Sequence, residues 1–498
     1  MKKVFIVLSL IATTLFAQDE LKLLTTVHGE KEGDMYSVVD AVGDVNGDGF
    51  DDFIVGGSSG EYVKLYFGGS PFDTLDCIRF VQGTWRRVNV SGCGKGDLNG
   101  DGYNDFVINT AYFVDDYRVE IYYGGKDKKN YDTPDLTITN NGWYYGFGGR
   151  SIIGDLNGDG YDDLVISAPN DDYDAHGRVY IYFGGKDMDT ECDVFLEGKE
   201  PFDMFGKSVS IVGDVNNDGY DDLLVGAPQF LAEDKPGKAY LFFGGEEIGF
   251  DNSVEFVGTD SINASYGTSV SGLGDINNDG FKDFGIAAQD YVNIILGDNN
   301  IDSTNFFNTY TNNEISFIGG LSDFNKDSYS DYVIVRKDIN IYNGASIPDT
   351  IPDIDFDFWA SPVCNIGDIN GDDKDEIAFG IGGGWDPSGR VEIYAYGKIN
   401  DAEESFINTI PTNYIINQNY PNPFNPTTTI SYTLPETGAV QIKIYDLLGR
   451  EVTKLVDEQK SAGKYTIQWN GSNYASGIYF YSVTFGGQRL YKKMLMIK

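Results

Sequence analysis

The chain carries, at residues 44–52, the sequence Asp-Val-Asn-Gly-Asp-Gly-Phe-Asp-Asp. The underlying pattern, Asp-x-Asn-x-Asp-Gly-x-x-Asp, recurs with small changes at six later points, which open at Asp97, Asp155, Asp214, Asp275, Asp323 and Asp368. Successive openings are 53, 58, 59, 61, 48 and 45 residues apart. Such spacing indicates an array of one supersecondary unit.

We call these segments acidic loops one to seven (44–52, 97–105, 155–163, 214–222, 275–283, 323–331 and 368–376) and number the positions in each from one to nine. Side-chain oxygens at positions one, three and five, a backbone carbonyl at position seven and a carboxylate at position nine suit a cation of calcium's size. The sequence therefore predicts up to seven structural Ca²⁺ sites, although spacing does not distinguish calcium from magnesium. The predicted ligands are Asp44, Asn46, Asp48, Phe50, Asp52; Asp97, Asn99, Asp101, Tyr103, Asp105; Asp155, Asn157, Asp159, Tyr161, Asp163; Asp214, Asn216, Asp218, Tyr220, Asp222; Asp275, Asn277, Asp279, Phe281, Asp283; Asp323, Asn325, Asp327, Tyr329, Asp331; and Asp368, Asn370, Asp372, Lys374, Glu376.

The residues after each loop exclude a helix-loop-helix calcium hand. Such a hand closes with Glu at position 12, whereas position 12 here is apolar, as in Val55, Ile108 and Val225. The loops run into short β-branched stretches typical of buried strands. A further strand ends in an aromatic-Gly pattern, as in Tyr66-Phe67-Gly68-Gly69, and a fourth precedes the next unit. Four strands in 45 to 61 residues match the length of a propeller blade.

Two repeats carry a recognisable signature. Phe205-Gly206, Gly213-Asp214 and Val225-Gly226-Ala227-Pro228 in one unit, with Phe147-Gly148 and Ser167-Ala168-Pro169 in another, resemble the FG-GAP repeat of the integrin α-subunit. The resemblance covers roughly residues 20 to 398 and implies an all-β, seven-bladed β-propeller over residues 18–398.

Counting strands predicts how this propeller closes. The last unit stops at its third strand, residues 391–394, and residues 23–27 read as a strand that lacks a unit of its own. We therefore expect the N-terminal strand to complete the seventh blade and so to remove open sheet edges. Trp359 lies nine residues before its loop, like Phe205 and Tyr266, and we expect it to fill the same packing position between blades.

Charge is distributed unevenly along the chain. The total is −41, but residues 411–498 hold nine Lys or Arg against five acidic residues and residues 1–17 hold two Lys, which leaves −47 for residues 18–410. Phosphate binding requires a basic surface, so nucleic acid is not an expected partner. Clustering of the acidic residues in seven loops favours metal binding over a merely solvated surface.

The N-terminus has the features of a secretory signal. Lys2-Lys3 and an apolar run from Val4 to Phe16 predict a signal peptide over residues 1–17. This run is shorter than the ~20 residues that span a bilayer, and no second such segment predicts a transmembrane anchor. Four cysteines do not make a disulfide framework. Cys93 and Cys364 fit inner strands, and a Cys77–Cys93 bridge stays open as an alternative.

A second domain begins after a proline-rich segment. Five of the 15 prolines fall within residues 411–435, so residues 399–418 read as a linker. The blocks 419–426, 444–452, 476–479 and 492–498 resemble the type A sorting domain of the type IX secretion system, and alternation in residues 440–444 predicts a small β-sandwich over residues 419–498. The resemblance implies passage through the type IX machinery to the outer-membrane surface of a Gram-negative bacterium, or release.

The seven loops are not expected to be equal. Position six requires a sharp turn and is Gly in the first five loops (Gly49, Gly102, Gly160, Gly219, Gly280), but Ser328 and Asp373 in the last two. Loop seven also has the longer Glu376 at position nine. We therefore expect sites six and seven to bind calcium most weakly. For any single loop, an Asp/Asn turn held by its own side chains is the alternative.

Aromatic residues fall in the connections expected on the face opposite the acidic loops. The candidates for contact with an extracellular glycan or protein are Trp85, Arg86, Arg87, Trp143, Tyr144, Tyr173, His176 and Trp385. No catalytic residue is predicted, because the chain has two histidines, His28 and His176, and no nucleophile motif. The favoured function is a calcium-stabilised binding or adhesion module, with a polysaccharide- or lipid-acting enzyme and a purely structural surface protein as alternatives.

Overall fold

The computed structural model describes residues 21–30, 36–57, 62–81, 86–89, 95–112, 116–139, 146–170, 174–229, 236–259, 265–304, 306–310, 314–348, 351–383, 386–397, 415–416, 424–434, 438–447, 450–460, 463–485 and 488–497. The chain divides into two compact units, Met1–Lys398 and Ile399–Lys498. In the described part, the regular structure is all β apart from one 3₁₀ turn, Phe250–Asn252.

The first unit is a succession of short strands. Its described residues form β1 (Leu21–His28), β2 (Tyr36–Gly43), β3 (Asp52–Gly57), β4 (Tyr62–Tyr66), β5 (Cys77–Val81), β6 (Arg86–Asn89), β7 (Phe106–Tyr112), β8 (Asp116–Tyr122), β9 (Leu136–Thr139), β10 (Ser151–Gly154), β11 (Asp163–Ala168), β12 (Arg178–Tyr182), β13 (Val194–Glu197), β14 (Ser208–Gly213), β15 (Asp222–Ala227), β16 (Lys238–Phe242), β17 (Ser253–Val257), β18 (Ser269–Gly274), β19 (Asp283–Ala287), β20 (Tyr291–Ile295), β21 (Phe307–Tyr310), β22 (Phe317–Ser322), β23 (Asp331–Val335), β24 (Ile339–Tyr342), β25 (Ile354–Phe356), β26 (Val363–Gly367), β27 (Glu376–Gly383) and β28 (Asp386–Tyr396).

These strands make seven four-stranded antiparallel sheets among the described residues. Sheets one to six each use four consecutive strands, from β2–β5 through β22–β25. Sheet seven has the order β1-β28-β27-β26, with Thr26 opposite Glu392 and Val27 opposite Val391. The predicted all-β propeller architecture is confirmed, and the N-terminal strand completes the last sheet as expected.

The second strands of the sheets are deeply buried. Every residue of β3, β11 and β15 is buried, which explains why these strands read as continuous apolar runs. Side chains of neighbouring sheets pack together, as where Phe80 of sheet one meets Phe106 of sheet two edge-on at 5.9 Å. Burial between sheets therefore supplies the cohesion of this unit.

The packing position assigned to Trp359 is wrong. Phe205 is completely buried between sheets three and four, but Trp359 is 44% exposed. The N–H of Gly206 bonds the carbonyl of Gly226, and its counterpart in sheet seven is the N–H of Ser361, which bonds Gly380. The residue equivalent to Phe205 is therefore the buried Ala360. Counting back from the acidic loop places the position one residue too early.

The cysteine expectations are partly tested. Cys77 in β5 and Cys364 in β26 are free thiols, and Cys364 lies on the first strand of sheet seven with its Sγ 3.6 Å from the carbonyl oxygen of Val39 in β2. Cys93 lies outside the described residues.

The second unit is a small β-sandwich. Its described strands are β29 (Ile415–Ile416), β30 (Thr427–Leu434), β31 (Gly438–Asp446), β32 (Glu451–Lys460), β33 (Gly463–Asn470), β34 (Gly477–Phe485) and β35 (Gln488–Met496). They form a three-stranded sheet, β29-β30-β33, and a four-stranded sheet, β32-β31-β34-β35. Trp469 from the first sheet and Tyr481 from the second share one buried core. The predicted sandwich is confirmed.

No helix long and apolar enough to cross a membrane occurs among the described residues.

Candidate metal centres

All seven acidic loops lie within the described residues and occupy equivalent places. Each joins the first strand of its sheet to the second, and in six of the seven loops position nine is also the first residue of the second strand, as with Asp52 of β3. In loop two, Gly96 and Asp105 form an isolated antiparallel β-bridge, which is equivalent to the pair Gly43 and Asp52 next to loop one. The repeat in the sequence therefore becomes a repeat in space.

The side chain at position one organises each loop. Asp44 accepts hydrogen bonds from the N–H groups of Gly47 (2.7 Å), Asp48 (3.1 Å) and Gly49 (2.8 Å). The bond from the position-six N–H is present in all seven loops, at 2.7 to 3.0 Å. The carboxylate at position five likewise accepts the N–H of position seven in all seven, at 2.9 to 3.1 Å. These bonds fold nine residues into a tight acidic turn.

The backbone at position six is left-handed in every loop. Gly49 and Gly219 have φ of +92° and +97°, while Ser328 and Asp373 hold +80° and +64° despite their Cβ atoms. At position six, loops six and seven therefore carry backbone strain that the other five avoid.

Position four is also left-handed, a feature that the sequence analysis missed. Gly47 has a φ of +71°, and a Cβ there would overlap the ring of Tyr103, which is position seven of the next loop. Gly100 lies under Tyr161 in the same way. Two features of the sequence could have predicted this contact: the frequent Gly at position four and the aromatic residue at position seven. The Gly leaves room for the aromatic ring of the next loop at the junction between two sheets.

The carboxyl group at position nine is the completely buried acidic group of each loop. Asp52 is completely buried, and its oxygens accept the N–H groups of Val45 (3.0 Å) and Gly68 (2.8 Å). Burial raises the pKa of Asp52 to about 8 and that of Glu376 to about 9, against the lowering effect of backbone hydrogen bonds. A buried carboxylate of this kind is costly unless a positive charge lies close by.

Loops six and seven differ at the buried end. Asp331 accepts the N–H of Gly344 at 3.0 Å through Oδ1, but its buried Oδ2 has no hydrogen-bond partner. In loop seven, Glu376 reaches the side chain of Asn370, whose own Oδ1 is buried and without a partner. Orphaned acceptor oxygens are the kind of group that a bound cation satisfies.

The donor set fits a hard cation. Each loop offers carboxylate, amide and carbonyl oxygens, which suit calcium or magnesium and not a thiolate-preferring metal. In the described residues, no three His, Cys, Asp or Glu side chains are gathered into a ready cage. Hydrogen bonds within the loops, such as Asn216 Nδ2 to Asp218 Oδ2 at 2.8 Å, hold the carboxylates instead. Cation binding would therefore exchange some of these bonds for metal ligation.

Only a small part of the candidate ligand face lies within the described residues. Trp85, Trp143, Tyr144, Tyr173 and Trp385 lie outside the described residues. Arg86 and Arg87 open β6, opposite Tyr112 and Ala111. His176 is half-buried, and its carbonyl accepts the N–H of Phe205 at 3.0 Å. Whether these residues share a surface stays a prediction.

Comparison with protein families assigns both parts of the chain. Residues 205–242 match the FG-GAP repeat and residues 97–166 the FG-GAP-like repeat. Residues 418–498 match the secretion system C-terminal sorting domain. The chain therefore combines FG-GAP repeats on a β-propeller with a type IX sorting domain. It is an exported protein, directed to the cell surface or beyond.

Among curated proteins the chain resembles integrin α-subunits. It is 29% identical to integrin alpha-5 of Xenopus laevis over 206 residues, which are 39% of this chain and 19% of that protein. It is 33% identical to integrin alpha-PS3 of Drosophila melanogaster over 156 residues, which are 30% of this chain and 14% of that protein. The matched segments thus span a fifth or less of these relatives.

Two solved structures show a distant likeness. PorZ, a surface component of the type IX secretion system of Porphyromonas gingivalis, has a TM-score of 0.37 at 13% identity, with 88% of this chain and 56% of that chain covered. BBS1N in complex with ARL6DN has a TM-score of 0.41 at 10% identity, with 76% and 97% covered. These likenesses are too remote to support an inference about function.

Proposed function

We propose that this protein is a calcium-stabilised binding or adhesion module, carried to the cell surface or released by type IX secretion. The observation that carries the proposal is the repetition of one oxygen-rich loop seven times, each with a buried carboxyl group at position nine. The integrin-like repeats support the binding role by analogy, and fold analogy alone does not specify a ligand.

The cations are proposed as structural. Each loop carries at least three acidic residues within nine positions, and their carboxylates repel one another without a counter-charge. The orphaned oxygens of Asp331 and Asn370 favour occupation even in the two loops with strained turns. Because the folded loops bind the cation and the unfolded chain does not, binding free energy adds to folding free energy.

Calcium dependence is tested on the full chain by thermal unfolding with calcium and with chelator, together with metal analysis. At a free calcium concentration of 100 times Kd, each site would add about 2.7 kcal/mol to the free energy of unfolding. Asp159→Ala in loop three should remove one bound ion. The matched control, Asp187→Ala, changes an exposed Asp outside the loops and should remove none. Equal stability with and without calcium, and no bound metal, would contradict the proposal.

The binding role is tested by screening the calcium-loaded protein against glycans and extracellular proteins. Trp85→Ala, Trp143→Ala and Trp385→Ala should each weaken binding of a captured ligand without lowering the melting temperature. Leu75→Ala is the control, because Leu75 is 84% exposed in the connection between β4 and β5, at the end of the sheet that carries the acidic loops. Unchanged binding in all three Trp variants would rule out this face, and turnover of a polymer would favour an enzyme instead.

A further inference from the structure

Neighbouring acidic loops are joined by backbone hydrogen bonds that follow one rule. The N–H of position eight in one loop donates to the carbonyl of position one in the preceding loop. The described residues contain six such bonds: Asn104 to Asp44 (3.3 Å), Asp162 to Asp97 (3.1 Å), Asp221 to Asp155 (3.3 Å), Lys282 to Asp214 (3.3 Å), Ser330 to Asp275 (2.9 Å) and Asp51 to Asp368 (3.0 Å).

A second bond repeats beside the first. The residue that follows the aromatic-Gly turn donates its N–H to the carbonyl of position two in the preceding loop, as Gly125 does to Val45 (2.9 Å) and Gly185 to Leu98 (2.7 Å). The Gly before it donates to the carboxylate at position nine of its own loop, as Gly124 does to Asp105 (2.7 Å). One turn therefore holds the buried carboxylate of its own loop and the backbone of its neighbour.

The bonds between loops use peptide groups that also carry predicted metal ligands. The N–H of position eight belongs to the same amide as the carbonyl of position seven, which is one of the five predicted ligand oxygens. An amide whose oxygen is drawn toward a cation becomes a stronger donor through its N–H, because hydrogen-bonded chains polarise one another. The acceptor, at position one, belongs to a residue whose carboxylate is a predicted ligand of the neighbouring site.

The junction between loops six and seven is different. Among the described residues, the N–H of Asp375 makes no backbone hydrogen bond to the carbonyl of Asp323. The side chain of Asn365 spans this junction instead, and its Nδ2 contacts the carbonyl of Leu321 (2.8 Å) and Oδ2 of Asp375 (2.7 Å). This bridge does not pass through the amide that joins positions seven and eight.

We propose that cation binding is positively coupled between adjacent loops around the propeller, and that the coupling is interrupted between loops six and seven. The proposal rests on the calcium-binding function proposed above. It makes loop seven a partner of loop one, which lies at the other end of the repeat array, and not of loop six, which precedes it in sequence.

The test is hydrogen exchange measured by mass spectrometry on the full chain, with the protection of each loop followed as calcium is titrated. Asp372→Ala, which disables loop seven, should raise the calcium midpoint of loop one by about fivefold, at the lower end of typical coupling between sites. The midpoint of loop six should not change. Asp327→Ala, which disables loop six, should raise the midpoint of loop five and leave that of loop seven unchanged.

Each alternative outcome has one meaning. An equal response of loops one and six to Asp372→Ala, or a response of neither, would overturn the coupling while leaving calcium binding established. Asp372→Asn keeps an acceptor for the N–H of Lys374 and serves if the Ala variant does not fold. Absence of calcium-dependent protection in the unaltered protein would overturn the calcium-binding function itself, and the coupling with it.

Discussion

Asp51 and Asp368 form a reciprocal pair of hydrogen bonds although 317 positions separate them. The N–H of Asp51 donates to the carbonyl of Asp368 at 3.0 Å, and the N–H of Asp368 donates to Oδ2 of Asp51, also at 3.0 Å. Lys95 adds a contact to the same carboxylate at 3.1 Å. These bonds join the first and last acidic loops directly. They add to the closure made by β1, which completes sheet seven.

The side chain of Asp51 should stabilise the junction between the first and last acidic loops. Asp51→Ala removes the acceptor of a part-buried N–H and should lower the free energy of unfolding by about 1–2 kcal/mol, measured by denaturant titration. Asp162→Ala is the matched control, because Asp162 accepts the N–H of Asp97 at an internal junction. Both variants should lose stability, but only Asp51→Ala should increase hydrogen exchange in loops one and seven together. Faster exchange there in both would contradict a specific closing role.

Relief of strain at position six should stabilise the last two loops. Ser328→Gly removes a Cβ from a φ of +80° and should raise the free energy of unfolding by up to about 1 kcal/mol. Asp373→Gly should gain less, because Asp tolerates the left-handed region better. The reverse change, Gly219→Ser in loop four, should cost a similar amount. A loss of stability in Ser328→Gly would show that its side chain outweighs the strain.

The N-terminal strand should contribute through one buried side chain. Val27 is 6% exposed and packs with Ile366 and Val391, so Val27→Ala should destabilise the protein by about 1–2 kcal/mol. Leu23, in the same strand, is 47% exposed, and Leu23→Ala should cost well under half as much. Denaturant midpoints compare the two directly. Equal losses would mean that β1 is held by its backbone alone.

Export should depend on the folded sandwich of the second unit. Trp469 is 3% exposed and contacts Phe424, Tyr474 and Tyr479. Trp469→Ala should cost about 3–5 kcal/mol, so that less protein reaches the cell surface or medium in a secretion assay. Tyr491→Ala, at a residue that is 56% exposed and lies outside the four sorting-domain blocks, should leave this core intact and be exported normally. Normal export of Trp469→Ala would show that the secretion machinery recognises the second unit without requiring its packed core.

Features that depend on short separations along the chain could be predicted from the sequence. In each loop, position one accepts the N–H of position six and position five accepts the N–H of position seven, across five and two residues respectively. The nine-residue pattern was therefore sufficient to predict the turn and the left-handed residue at position six. The second strand of each sheet could also be predicted, because a strand that is buried on both faces has a continuous apolar sequence. Even the closure by β1 followed from counting strands against repeats.

Features that depend on contacts between sheets could not be predicted from the sequence and became visible in the three-dimensional structure. Gly47 must be small because the ring of Tyr103 from the next loop lies against it. Ala360 takes the packing position assigned to Trp359, because the segment between this position and the acidic loop is one residue shorter in sheet seven than in sheet four. The missing bond between Asp375 and Asp323 and the bridge from Asn365 likewise have no local signature. Hydrogen bonds within a loop are fixed by spacing along the chain, whereas contacts between sheets are fixed by packing geometry, which a repeat pattern does not encode.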